Sequence, residues 1–333
     1  MKEASTDYCV MEVTSQGLDM GRVLGCNFRT AVFTNLTQDH LDYHGTMEKY
    51  LEAKSLLFSR LGNSFSAEPS ERKFAVLNAD DPASAALRRM TAAQVITYGM
   101  AHRADVTAAD VELTSKGTRF TLVSFAGKIS IDLRMVGRFN VYNALAAAAA
   151  ALAEGISLQE IREGLHSLSS VPGRMEVIDA GQDYLVLADY SHTPDGLEKA
   201  LAAVREFAEN KVITVFGCGG NRDRGKRPIM GKLAAQFSDY VIITSDNPRS
   251  EDPQTILKEI EAGLLEAGAV GGKHELVEDR KAAIARAVAA AGSGDVVLIA
   301  GKGHETVQIL KDRTIRFDDR EAAREAIRQR MTS

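Results

Sequence analysis

Four apolar runs in the second half of the chain each stop at a polar loop, and their spacing constrains the fold more than any other feature. Tyr184–Ala188 ends at Asp189, Val212–Phe216 at Gly217, Tyr240–Thr244 before Asp246, and Val296–Ala300 at Gly301, at intervals of 28, 29 and 55 residues. Leu276-Val277 supplies a short strand inside the long interval. Strands separated by helix-length segments predict a doubly wound parallel sheet. Such sheets bind ligands in the crevice outside the carboxyl ends of their strands. The topology therefore predicts one crevice ringed by Asp189, His192, Arg222, Asp246, Arg249, Lys302, His304 and Glu305. The loop Asp246-Asn247-Pro248-Arg249-Ser250-Glu251-Asp252-Pro253 is the most polar of these. Asp252 is placed as the N-cap of the next helix and Pro253 as its first residue. Asn247-Pro248 favours a turn that projects Arg249, although an ordinary turn with a solvated arginine satisfies the same letters. The glycines from Gly217 to Gly225 lack the G-x-G-x-x-G spacing and no Walker lysine follows them, which argues against a dinucleotide.

A length of 333 residues suits two domains, and Ser169–Arg174 is the natural boundary, giving 1–168 and 169–333. With 45% hydrophobic and 26% charged residues and a net charge of −5, nothing calls for a nucleic-acid partner. Cys9, Cys26 and Cys218 are odd in number and lack metal-ligand spacing, which points to a reducing cytoplasm. The apolar run Ala144–Ala153 is too short to span a bilayer, and no signal peptide is expected before the first predicted strand.

In the first half, Tyr8–Met11 reads as a buried strand ending at Glu12 and the hydroxyls Thr14 and Ser15, a set that suits a hard cation, a phosphate or a capped turn. Thr30–Asn35 feeds the dense polar run Asp39-His40-Leu41-Asp42-Tyr43-His44-Gly45. The helix from Met47 to Leu61 carries Lys54 inside an apolar stripe of Met47, Tyr50, Leu51, Leu57, Phe58 and Leu61. A lysine there is paired, modified or snorkelling at the edge of the stripe. Further strands are expected at Phe74–Asn78 and Val95–Tyr98, with Asp81-Pro82 opening a helix between them. From Ala108 to Leu133 the period falls to two, with turns at Lys116-Gly117 and Ala126-Gly127, predicting an antiparallel meander. Asn140 and Asn143 are expected on one side of the alanine-rich helix, and Ser157 with Glu160 forms a capping box.

Together these segments resemble the Mur ligases. The resemblance rests on Met11-Glu12-Val13-Thr14-Ser15, Phe33-Thr34-Asn35-Leu36, Asp39 to Gly45, Ala53-Lys54, Gly137 to Asn143, Gly173-Arg174-Met175-Glu176, Asp189 to Asp195, the Gly217 loop, Asp246 to Arg249 and Gly301 to Glu305. It implies a P-loop-type ATPase domain with a meander, followed by a Rossmann-like domain that binds an amino acid. It also implies a cytoplasmic, monomeric enzyme of peptidoglycan precursor synthesis, with no nucleic-acid or membrane partner. The implied reaction uses ATP to convert a carboxylate of UDP-N-acetylmuramoyl-L-alanyl-D-glutamate into an acyl phosphate, which the amine of meso-diaminopimelate then attacks. On the same resemblance Glu12, His40 and a carbamylated Lys54 match the catalytic magnesium site. Asn140, Asn143, Arg174, Asp189 and His192 match ATP contacts. Thr14, Met20 and Arg22 match contacts to the UDP-linked substrate, with methionine standing where relatives can carry a polar residue. Arg222, Asp246, Asn247, Pro248, Arg249, Gly301 and Glu305 match the diaminopimelate pocket. The arginine of D-N-P-R goes with diaminopimelate, because a guanidinium binds the second carboxylate that lysine lacks.

The family's uridine-binding domain and its G-T-N-G-K-T phosphate loop have no counterpart in these residues, so this chain alone is expected to be inactive. A lysine-adding or folylpolyglutamate-type ligase, or a non-catalytic amino-acid-binding module, are the competing expectations.

Overall fold

The computed structural model describes residues 6–37, 40–63, 68, 71–114, 117–268 and 272–332; Asp39 and Lys116, both named above, lie outside them, as does the side chain of Asp42. The chain divides into two compact units, one made of Met1–Asp110, Phe120–Ile131 and Val141–Glu163, the other of Val111–Arg119, Asp132–Asn140 and Gly164–Ser333.

The chain begins with α1 (Ser15–Asp19), β1 (Thr30–Phe33), α2 (Leu41–His44), α3 (Met47–Ser59), β2 (Phe74–Asn78), α4 (Ser84–Met90) and β3 (Gln94–Gly99). The meander follows as β4 (Val106–Thr114), β5 (Gly117–Ser124) and β6 (Gly127–Leu133), and then come α5 (Arg138–Ala153) and α6 (Leu158–Ser167). β1, β2, β3 and β4 pair in parallel. The two-residue connection between β5 and β6 makes that pair antiparallel, since a parallel pair needs a crossover of a dozen or more residues. Ala31, Phe33, Ala75, Leu77 and Leu87 pack with Phe58 and Leu61 into the core on one face of this sheet. The capping box at the start of α6 is formed: the Glu160 carboxylate accepts from Ser157 N at 3.0 Å, and Glu160 N donates to Ser157 Oγ at 3.3 Å.

Two expectations change here. Tyr8–Met11 is not a strand but an exposed irregular segment, with Val10 fully exposed. An apolar run becomes a buried strand only where a neighbour pairs with it and covers its faces, and among the described residues none of the strand pairings includes this segment. Asp81 caps a turn rather than a helix, accepting from Ala83 N at 2.8 Å and Leu36 N at 2.8 Å, so α4 starts three residues later at Ser84.

The second unit continues with β7 (Glu176–Val177), β8 (Leu185–Asp189), α7 (Pro194–Phe207), β9 (Val212–Phe216), α8 (Lys226–Phe237), β10 (Tyr240–Ile243) and α9 (Pro253–Glu266). β11 (His274–Leu276), α10 (Arg280–Ala290), β12 (Val296–Ala300), the hairpin β13 (Val307–Ile309) and β14 (Thr314–Arg316), and α11 (Asp319–Thr332) complete it. The sheet order is β11-β10-β9-β12-β8-β7, parallel throughout except for β7. Alternation along each strand divides its side chains between two cores. Leu187, Phe216, Ile243 and Leu298 face α7, α8 and α9, whereas Val186, Val215, Ile242 and Ile299 face α10 and α11. Helices on both faces explain why these strands read as unbroken apolar runs.

Beneath the second core one ion pair ties three elements together. Arg280, first in α10, donates Nε to Asp319 Oδ1 and Nη2 to Asp319 Oδ2, both at 2.7 Å, and Nη2 also reaches the Ala300 carbonyl at 3.0 Å. Both side chains are fully buried. Removing one member leaves the other charge buried without its partner. Asp319→Ala is therefore predicted to destabilise the second unit by about 3–5 kcal/mol in urea unfolding; a loss below ~1 kcal/mol would show that the pair does not hold the unit together.

Candidate functional site

The loops predicted to share a site meet in the second unit, at the carboxyl edge of β8, β9, β10 and β12. Among them is the loop after β10. Asp246, Asn247 and Pro248 are buried, while Arg249 is half-buried and holds a left-handed backbone with φ 52°. That conformation is uncommon outside glycine and here is fixed from two sides. Arg249 N donates to the Ile309 carbonyl at 3.1 Å, and the Asn247 carbonyl accepts from Gly220 N at 2.9 Å. The Asn247 side chain is bonded at both ends, its Oδ1 accepting from Ile309 N at 3.0 Å and Lys302 Nζ at 3.1 Å and its amide donating to Glu305 Oε2 at 3.1 Å. Gln308 adds its amide to the Asp246 carbonyl at 2.7 Å.

Lys302 is wholly buried and pairs with Glu305 Oε2 at 3.0 Å. Burial alone would raise the Glu305 carboxyl, but hydrogen bonds from Lys302 and Asn247 outweigh it and hold the group below the usual carboxylate range. Gly301 (φ 118°) lets the Asp246 carboxylate approach, because a Cβ there would stand 2.7 Å from Asp246 Oδ2. Arg249 donates Nη1 to the Gly220 carbonyl at 2.9 Å and to the Asn247 carbonyl at 3.4 Å. A guanidinium has five N–H donors, and among the described residues these two bonds are the hydrogen bonds its side chain makes. Arg222 is exposed on the neighbouring loop. The structure thus gathers Arg249, Asn247, Asp246, Pro248, Gly301 and Glu305, two carboxylates among cations, in a setting able to receive a zwitterion.

At the end of β8, Asp189 is an organiser. Its carboxylate accepts from Met175 N at 2.8 Å and from Ser191 N at 2.8 Å, joining the strand end to the 173–175 loop. Tyr190, which pattern reasoning passed over, carries three neighbours on its ring: His192 at 4.7 Å, His304 at 5.1 Å and the Arg174 guanidinium at 5.5 Å. Arg174 and His192, both expected at the nucleotide, therefore share one aromatic surface with His304. Asn140 is buried and donates its amide to the Val136 carbonyl at 2.9 Å, whereas Asn143, one turn on, is exposed.

The first unit gathers a second set. Tyr50, buried on α3, lies 5.3 Å from the stacked ring of His44 and 6.1 Å from His40, and the Lys54 ammonium stands 5.1 Å from its centroid. His44 also meets Ser15 Oγ at 2.9 Å. Lys54 is half-buried, as an amine at the edge of an apolar stripe should be. Thr14 caps α1 by accepting from Gly17 N at 3.0 Å, and Arg22 reaches the Met20 sulfur at 3.2 Å. Glu12 lies exposed on the irregular segment, and among the described residues no group of three or more His, Cys, Asp or Glu side chains is poised to hold a metal.

A parallel sheet with helices on both faces and charged loops at one carboxyl edge defines a doubly wound α/β domain. The comparisons place it more closely. The description "Mur ligase middle domain" matches residues 1–151, and "Mur ligase, glutamate ligase domain" matches residues 173–303. A UDP-N-acetylmuramoyl-L-alanyl-D-glutamate--2,6-diaminopimelate ligase of Geobacillus thermodenitrificans is 52% identical over 330 residues, covering 99% of this chain and 66% of that protein. The protein of the same name from Halalkalibacterium halodurans is 50% identical over 332 residues, covering 100% of this chain and 66% of that protein. A solved structure of a UDP-N-acetylmuramoyl-L-alanyl-D-glutamate--2,6-diaminopimelate ligase superposes with a TM-score of 0.70 at 36% identity, covering 99% of this chain and 66% of the other. The chain belongs to the Mur ligase family and spans just under two thirds of the length of these relatives. Among the described residues no helix is long and apolar enough to cross a membrane.

Because the Glu305 carboxyl titrates lower in the folded state than in the unfolded one, its contribution is fully present above the unfolded value of about 4.3 and is lost as pH falls through the folded value. The stability gap between wild type and Glu305→Gln should therefore narrow when urea midpoints are compared at about pH 7 and about pH 3. A gap that is unchanged in acid would contradict the Lys302–Glu305 pairing.

Proposed function

We propose that this chain carries the amino-acid-binding domain, and part of the ATPase domain, of a ligase that joins meso-diaminopimelate to UDP-N-acetylmuramoyl-L-alanyl-D-glutamate in peptidoglycan precursor synthesis. Residues 1–168 form the ATPase part and residues 169–333 the amino-acid part. The observation that carries the proposal is Arg249: a half-buried arginine, held at the strand-end loops by its backbone, with most of its side-chain donors unused by the described residues. A second carboxylate on the incoming amino acid satisfies those donors bidentately, and lysine has nothing to offer them. The names of the relatives at 50–52% identity support the same substrate pair.

In this reaction the γ-phosphoryl group of ATP passes to a carboxylate oxygen of the UDP-linked peptide, ADP leaves, and an acyl phosphate results. The free amine of diaminopimelate then attacks the acyl carbon, the C–O bond to phosphate breaks, the amide forms and the amine gives up its proton. Residues of the second unit hold the nucleophile for that attack. Arg249 and Arg222 receive carboxylate, while Asp246 and Glu305 receive ammonium. Lys302 keeps Glu305 charged and aimed, and Arg174, Tyr190 and His192 offer a stacking surface for a nucleotide base or sugar.

Magnesium belongs to the same proposal. The ion keeps several waters and needs only one or two protein carboxylates. Lys54 as a carbamate would supply one beside His40, with Glu12 nearby in sequence to α1, and the bound ion would neutralise phosphate charge. Thr14 and Arg22 are proposed to meet the UDP-linked substrate, with Met20 packing on Arg22 instead of contributing a polar contact.

Arg249→Ala should weaken meso-diaminopimelate binding by about 10–100-fold, the range for losing charged hydrogen bonds, and leave L-lysine binding nearly unchanged when the two are compared by calorimetry. Equal losses for both amino acids would remove the basis for diaminopimelate. Incubation with 13C-bicarbonate should produce a carbamate carbon signal that disappears in Lys54→Arg; a signal that persists in the variant would place the modification elsewhere.

A further inference from the structure

The two arginines of the amino-acid pocket stand on different loops, Arg222 after β9 and Arg249 after β10. Something must fix the distance between them. Backbone contact does part of this. Gly220 N donates to the Asn247 carbonyl, and a Cβ on Gly220 would lie 1.9 Å from the Pro248 carbonyl oxygen, so only glycine permits the approach. The rest is ionic. Arg227, in the first turn of α8, is wholly buried, an unusual position for an arginine. Its Nη1 donates to Glu251 Oε2 at 3.0 Å and its Nη2 to Glu251 Oε1 at 3.1 Å, a bidentate fork. Nη1 also reaches Glu259 Oε2 on α9 at 2.6 Å, and Nη2 reaches the Gly219 carbonyl at 3.3 Å. Glu251 follows Arg249 by two residues and also accepts the backbone N–H of Asn221, next to Arg222. Ser250 closes the seam, donating N at 3.1 Å and Oγ at 2.8 Å to Asn221 Oδ1.

We infer that Arg227 and Glu251 are positioning residues for amino-acid specificity: they lock the Arg222 and Arg249 loops at a fixed separation, which selects an amino acid with a second carboxylate. The inference rests on the proposal that Arg249 binds that carboxylate. Neither Arg227 nor Glu251 touches the amino acid. Replacing a planar fork with a point charge, as in Arg227→Lys, keeps the charge but not the two parallel bonds. Removing the charge of Glu251 leaves Arg227 its bond to Glu259, so Glu251→Gln keeps the buried cation paired and provides the variant that folds if Arg227→Lys does not.

The test is calorimetric titration of wild type, Arg227→Lys, Glu251→Gln and Arg249→Ala with meso-diaminopimelate and with L-lysine, together with hydrogen exchange at the Gly220, Asn221 and Ser250 amides. Arg227→Lys and Glu251→Gln should each lower the ratio of diaminopimelate to lysine affinity by about 5–20-fold, speed exchange at the three amides, and have little further effect when combined with Arg249→Ala. If Arg249→Ala lowers that ratio but Arg227→Lys and Glu251→Gln do not, or if they weaken both amino acids equally, the inference is overturned while the reading of Arg249 stands. If Arg249→Ala leaves the ratio at its wild-type value, the reading of Arg249 fails, and the inference fails with it.

Discussion

A parallel sheet covered on both faces can place charge only at the ends of its strands, and the second unit is built on that constraint. β8, β9, β10 and β12 are apolar along nearly their whole length because helices lie on each side. Asp189, Asp246 and the loops after Gly217 and Gly301 then emerge together at the carboxyl edge. Charges that do lie deeper are paired. Arg280 meets Asp319, Arg227 meets Glu251 and Glu259, and Lys302 meets Glu305. The two arginine clusters join elements distant in sequence, and Lys302 with Glu305 reaches the loop after β10 through Asn247, so the same interactions that remove the penalty of burial also hold the strand-end loops together.

The loops at this edge are held in place by the protein's own bonds. The Asn247 side chain is committed to Lys302, Glu305 and Ile309, and Gln308 is committed to the backbone of the loop. Arg249, by contrast, is held by its backbone, while its guanidinium spends only Nη1 on hydrogen bonds to the described residues. Rigid support around an under-used polar group is what a selective site needs, since a ligand that fails to satisfy the group leaves it desolvated and unpaired.

Much of this was legible in the letters. The spacing of the strand ends gave the sheet and its loaded edge, Asp252-Pro253 gave the start of α9, and Ser157 with Glu160 gave the box at α6. What escaped depended on partners far away in sequence. Tyr8–Met11 has a strand's composition but pairs with no strand among the described residues. Asp81 has a capping residue's identity, yet tertiary contact with Leu36 turns it to another use. Arg227 and Arg280 look like ordinary first-turn arginines, and only packing shows that both are buried. Tyr190 lay between two residues singled out for the site and was itself missed, although an aromatic next to a strand-end aspartate was the available signal.

The most direct test of the account is a crystal structure of this chain with meso-diaminopimelate. The account predicts one carboxylate of the ligand on the Arg249 guanidinium, an ammonium beside Asp246 and Glu305, and loops 217–225 and 246–251 in their present positions. A ligand bound away from Arg249, or one that meets it only after those loops have separated, would contradict the claim that this crevice is a pre-formed diamino-acid site.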